Sequence, residues 1–146
     1  MKKQKIFLRI VIALWLMLIW GHSMQPAVVS SQESGFFLDF LSNIIPGLMN
    51  DDGGMFIIRK AAHFAEYTIL GILLCMDFSS YLYGVIKRFS IPVLVGLFIS
   101  FIDETIQLFV VGRSGEVRDM WIDVTGIALG TLISLAIVNN KRTRRR

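Results

Sequence analysis

The placement of ionisable residues limits what this chain can fold into more than any other feature. Four apolar stretches, at residues 6–21, 61–78, 91–111 and 120–138, alternate with short polar segments. His63, Glu66, Asp103, Glu104, Gln107, Arg113, Asp119 and Asp123 all fall within a few helical turns of the same end of those stretches. Charge within a hydrocarbon layer is costly, so polar groups gathered at one depth point to a functional site.

Three of the stretches run to about 18 to 21 residues, which at about 1.5 Å per residue matches a hydrocarbon core of about 30 Å. Only 18% of the 146 residues are charged and the mean hydropathy is +0.62, whereas a soluble domain carries about a quarter charged residues. The expected fold is all-α: one membrane domain of four transmembrane helices, too short for two ordinary domains. Residues 2–5 are mostly lysine, Arg9 interrupts the first stretch, and no small-x-small cleavage site follows Trp20. A retained first helix is therefore expected rather than a cleaved signal peptide. Cys75 has no partner cysteine in the chain and sits in an apolar run, where packing is its expected use.

Basic residues set the expected orientation. Eleven of the 15 Lys and Arg residues lie on one side: Lys2, Lys3, Lys5, Arg9, Lys87, Arg88, Lys141, Arg142, Arg144, Arg145 and Arg146. The positive-inside rule makes that side cytoplasmic, with both termini inside. The basic tail at residues 139–146 suits stop-transfer and anionic lipid better than nucleic acid, so no nucleic-acid partner is expected. The first outer segment is acidic until Arg59, and its residues 36–48 repeat apolar side chains at near-helical spacing, with Asp39, Ser42 and Asn43 towards another face. A short interfacial helix is expected there, ended by Pro46 and Gly47 and followed by a turn over Asn50, Asp51, Asp52, Gly53 and Gly54.

Helical spacing aligns the polar residues. Arg59, His63 and Glu66 follow i, i+4, i+7, with Lys60 and Tyr67 beside them. Asp103 and Gln107 are four apart, and Glu104 and Gln107 three apart. Asp119, Asp123, Gly126 and Gly130 share one stripe. Gly126 and Gly130 form a small-xxx-small pattern that lets another backbone come close. Exposing Glu66, Asp103, Glu104 and Asp123 to lipid would cost about 2.5 to 3.5 kcal/mol each. The total, on the order of 10 kcal/mol, rivals the stability of a whole fold. These groups must therefore be paired, protonated or solvated, and Arg59, Lys60, His63, Arg113 and Arg118 are the partners at that end.

Such a cluster admits several uses. It could tie the helices together, or line a cavity for a polar headgroup or sugar. It could also serve hydrolysis or transfer, with Glu66 or Glu104 as base beside His63. The spacing of His63, Glu66 and the acids matches no established metal motif, so neither metal nor cofactor is assigned, and no catalytic residue is named. For Arg113 two readings stand: an ion pair with Glu104 or Asp119 that closes the cavity, or contact with an anionic group of a ligand.

At these residues the sequence resembles the VanZ-like family of small bacterial membrane proteins. His22-Ser23-Met24-Gln25-Pro26 is similar to that family's Ser-Ser-Gln-Pro segment. Arg59-Lys60-Ala61-Ala62-His63-Phe64-Ala65-Glu66-Tyr67 with Leu70-Gly71 is similar to its Lys-x-x-His-x-x-x-Tyr-x-x-Leu-Gly motif. Glu104-Thr105-Ile106-Gln107-Leu108-Phe109 leading to Gly112-Arg113 is similar to its Glu-x-x-Gln-x-Phe and Gly-Arg elements. Asp119, Asp123, Gly126 and Gly130 match its last helix. Met24, Val111 and Asp123 depart from the family's frequent Ser, Pro and Asn. The resemblance implies a multi-pass protein of the bacterial cytoplasmic membrane that contributes to resistance against lipoglycopeptides such as teicoplanin. The expected partners are membrane lipid and either a lipid-linked cell-wall intermediate or the lipoglycopeptide itself. An intramembrane enzyme on a lipid-linked substrate and a structural partner of another membrane protein are the alternatives. Oligomeric state is not legible.

Overall fold

In a computed structural model, which describes residues 2–44 and 52–143, the chain forms five helices. They are α1 (Lys2–Ser23), α2 (Ala27–Ile44), α3 (Asp52–Phe78), α4 (Val85–Gln107) and α5 (Val117–Thr143), and no strand occurs among the described residues. Helices α1, α3, α4 and α5 are each long and apolar enough to cross a membrane. The protein is thus an all-α, multi-pass membrane protein.

The helices run longer than the apolar stretches because polar residues can extend a helix past the hydrocarbon. Asp52, Gly53 and Gly54, expected in a turn, begin α3 instead. Pro46, Gly47, Asn50 and Asp51 lie outside the described residues. Lys87 and Arg88 belong to the first turn of α4 rather than to a loop. Arg88 is buried and its Nε donates to the Leu82 carbonyl at 2.8 Å. At its far end α4 stops at Gln107, four residues short of the apolar run. Turn bonds from Phe109 to Ile106 and from Val110 to Gln107 replace the helix, and Gly112 reverses the chain at φ +76°.

Helix α3 packs most extensively on α5, then α5 on α4, while α1 covers α3 and α4. The core is Ile19, Tyr67, Leu70, Leu74, Ile99 and Ile127, with Cys75 buried beside it. Large apolar side chains such as Leu94, Phe98, Phe101 and Leu132 point outward, as suits helices whose solvent is lipid. The tight α3–α5 seam depends on glycine. A Cβ at Gly126 would stand 2.6 Å from the Phe64 carbonyl oxygen, and one at Gly130 would collide with the Thr68 carbonyl. A Cβ at Gly71 or Gly96 would strike Ile127 from α3 or α4, so three helices meet around that isoleucine.

Helix α2 packs on α3 and differs from the amphipathic helix expected over residues 36–48. It starts nine residues earlier, at Ala27, and residues 45–48 lie outside the described residues. Its buried stripe is Ser30, Ser34 and Leu38, at i, i+4 and i+8, whereas Phe36, Phe37 and Phe40 are exposed. Ser30 and Ser34 border the space between α2 and α3, and Ser34 Oγ donates to the Ser30 carbonyl at 2.9 Å.

Candidate functional site

The polar residues meet where the end of α1, the first half of α3, the end of α4 and the start of α5 come together. The antiparallel course of α1 and α3 does the first part of this. At one end Arg9 reaches Asp77 at 3.4 Å and Tyr81 Oη at 2.6 Å. Towards the other, Trp15 Nε1 donates to the Glu66 carbonyl at 3.0 Å. His22 Nδ1 lies 2.6 Å from Glu66 Oε1. The sequence motifs place His22 in a family segment and not among the site residues. Its partner Glu66 is forty-four positions away, so no local pattern could have revealed the pair.

The α4–α5 turn is strapped down at several points. Arg113 Nε donates to the Gln25 carbonyl at 3.0 Å and its Nη2 to the His22 carbonyl at 3.1 Å. Its fork therefore holds the link between α1 and α2, not the carboxylates of Glu104 or Asp119. Burial, and the neighbouring Arg59 charge after it, push the Arg113 guanidinium down from its ordinary value, yet arginine stays charged. Ala27 N also donates to the Val111 carbonyl at 3.3 Å. Glu104 Oε2 accepts the Glu116 backbone N–H at 2.7 Å, and Gln107 Nε2 reaches Glu104 Oε1 at 3.4 Å and Ser23 Oγ at 3.5 Å. Glu104, a candidate base by sequence, thus braces the turn. Lys60 of α3 is ion-paired with Asp119 at the start of α5 and lies 4.9 Å from the centre of the Phe56 ring. Arg59 also faces Phe56, at 5.9 Å.

Deeper in the bundle lies a second, drier group. Asp103 and Asp123 are fully buried and His63 is 8% exposed. His63 Nδ1 is 3.7 Å from Asp123 Oδ1, and Ser100 Oγ donates to Asp123 Oδ2 at 2.7 Å. The rings of His63 and Tyr67 are nearly parallel, with centres 6.5 Å apart, and Tyr67 and Ser23 lie against Asp103. One ligand atom each from His63, Asp103 and Asp123 falls within 4.8 Å of the other two. His63 Nδ1, Tyr67 Oη, both Asp103 oxygens and Asp123 Oδ1 have no hydrogen-bond partner.

Between these layers and α2 opens a cavity of about 640 Å³. Its polar wall includes His22, Arg59, His63, Glu66 and Arg113, and its apolar wall includes Phe36, Phe37 and Ile58. A smaller polar pocket of about 60 Å³ lies beside it under the α4–α5 turn. His63 and Arg59 line both. The structure therefore brings Arg59, His63, Glu66 and Arg113 to the cavity. Asp103, Asp123 and Tyr67 stand behind His63, Lys60 and Asp119 pair at the rim, and Glu104 and Gln107 brace the turn. Gly126 and Gly130 serve the α3–α5 contact beneath. Such an arrangement can hold an anionic group against the arginines and an alkyl chain against the phenylalanines.

Comparison with known proteins adds one finding. A family model described as VanZ/LLP1 matches residues 8–138. No curated protein and no solved structure matches the chain.

Proposed function

The chain belongs to the VanZ/LLP1 family, and from that premise we propose that it binds an anionic amphiphile of the cell envelope. The bound component is held or shielded at the outer leaflet of a bacterial cytoplasmic membrane. The physiological consequence is resistance to lipoglycopeptides such as teicoplanin. One observation carries this reading: the 640 Å³ cavity combines Arg59, Arg113 and His22 with Phe36, Phe37 and Ile58. A ligand that is half charged and half alkyl pairs with both walls, whereas a fully water-soluble sugar would leave the phenylalanines wet. Teicoplanin-type drugs and the lipid-linked cell-wall unit they bind share that split character. The basic residues at the opposite end of the bundle support an orientation with both termini in the cytoplasm and the cavity outside.

The test is a susceptibility profile of a strain lacking the protein, complemented with wild type or with Arg59→Glu. Wild type is expected to protect against a glycopeptide with a lipid tail and not against one without. Arg59→Glu is expected to accumulate normally and to lose the protection. Equal protection by the charge-reversed protein would overturn the reading.

A second reading, an intramembrane enzyme acting on a lipid-linked substrate, draws on one observation. His63 faces the cavity and also stands 3.7 Å from the buried carboxylate of Asp123, an arrangement suited to a base and its orienting group. Turnover of a lipid-linked substrate by the purified wild-type protein, lost in His63→Gln, would favour it over simple binding.

A further inference from the structure

The buried group behind the cavity has an unusual property: its polar atoms face one another and are not satisfied. Asp103 and Asp123 are 0% exposed, and three of their four carboxylate oxygens lack a hydrogen-bond partner. Tyr67, also 0% exposed, lies against Asp103, and His63 Nδ1 stands 3.7 Å from Asp123 Oδ1, beyond hydrogen-bond length. A buried polar atom left alone costs about 1 to 3 kcal/mol, and more when charged, so several converging on one point suit a shared cation. The nearby cations do not supply it. Lys60 is paired with Asp119, and Arg113 reaches two backbone carbonyls rather than these carboxylates.

We infer that His63, Asp103 and Asp123 form a binding site for a single divalent metal ion of the zinc class, joining α3, α4 and α5. Two carboxylates and a neutral imidazole around a divalent cation sum to zero charge, which suits a dry core between membrane helices. The imidazole favours zinc, manganese or iron over magnesium and calcium, whose sites are all oxygen. The spacing is close to what such an ion needs. The 3.7 Å between His63 Nδ1 and Asp123 Oδ1 compares with about 3.4 Å between neighbouring ligands of a tetrahedral site with bonds of about 2.1 Å. Asp103 completes the triangle, its ligand atom within 4.8 Å of the others. Ser100 already fixes the remaining Asp123 oxygen at 2.7 Å, the outer-shell support that orients metal-binding carboxylates. Tyr67 stands beside Asp103, where its hydroxyl can support that carboxylate from the outer shell. Because the three ligands come from three helices, the ion clamps the bundle directly behind the cavity wall. This assignment does not depend on what the cavity binds.

Protein carrying an affinity tag without histidines, purified in detergent, decides the matter by elemental analysis and thermal unfolding. Wild type is expected to hold about one divalent transition-metal ion per chain, to lose it to a strong chelator with a fall in Tm, and to recover on adding zinc or manganese. His63→Gln and Asp123→Asn are expected to hold only background metal, with exposed Arg118→Gln as an unchanged control. Metal retained by either variant would overturn the site. So would wild type that is metal-free as purified and not stabilised by either ion. Should the variants fail to accumulate, cobalt-loaded wild type still decides. Absorption bands of nitrogen and oxygen ligation support the assignment. A sulfur charge-transfer band, which would implicate Cys75, or no ligand-field band at all, refutes it.

Discussion

His22 Nδ1 lies 2.6 Å from Glu66 Oε1, joining the last turn of α1 to the middle of α3. Together with Trp15 on the Glu66 carbonyl, this contact anchors the first helix to the bundle at the level of the cavity. Arg113 adds a further tie from the α4–α5 turn to the His22 carbonyl. The mouth of the cavity is therefore built by cross-links between segments far apart in sequence.

Glu66→Ala is expected to lower unfolding free energy by about 1 kcal/mol, the usual net scale for one hydrogen bond, since its partner His22 is half exposed. His22→Ala should add little to it, because the two share one interaction. Thermal unfolding of both single variants and the double variant in detergent checks this. Fully additive losses would mean that the contact carries no coupling.

Gly126→Ala is expected to force α3 and α5 apart, since its Cβ would stand 2.6 Å from the Phe64 carbonyl oxygen. Overpacking of this kind costs about 1 to 3 kcal/mol. Gly21→Ala, which has nothing within 4 Å of the added carbon, should be neutral or slightly stabilising. Unfolding temperatures of the two variants measured side by side test the difference.

Arg113→Lys keeps the charge and loses the fork that spans the Gln25 and His22 carbonyls. Increased proteolysis at the α1–α2 link is expected, with the core unchanged. Charge-swap variants in which Arg113→Glu is combined with Glu104→Arg or Asp119→Arg are expected not to restore function, because Arg113 contacts neither carboxylate. Recovery of resistance in either swap would show that the ion-pair reading of Arg113 is the right one.

Ser114→Cys is expected to react with a membrane-impermeant thiol reagent in intact cells, as the proposed orientation places the α4–α5 turn outside. Native Cys75 is buried and supplies a low background. Labelling that appears only after permeabilisation would reverse the orientation.

Much of this protein follows from its sequence because lipid is an unforgiving solvent. Apolar runs of bilayer length must become helices, since only a helix satisfies every backbone group within its own segment. That reasoning reaches the four long helices, the small-xxx-small stripe of Gly126 and Gly130, and the sharing of helix faces by Arg59, His63 and Glu66. It does not reach helix ends, which polar residues extend at Asp52 and Arg88 and turn chemistry cuts short after Gln107. Nor does it reach partners. Periodicity says which way a side chain points along its own helix, but not which atom of another helix stands opposite. Only the tertiary packing paired His22 with Glu66 and Lys60 with Asp119, turned Glu104 and Arg113 to backbone groups of the turns, and set His63 beside Asp103 and Asp123. The α3–α5 pairings rest on close approach at Gly126 and Gly130, the others on how the helix ends and turns pack. Contacts of that kind connect residues with no shared local spacing, so their geometry emerges only when the helices are packed.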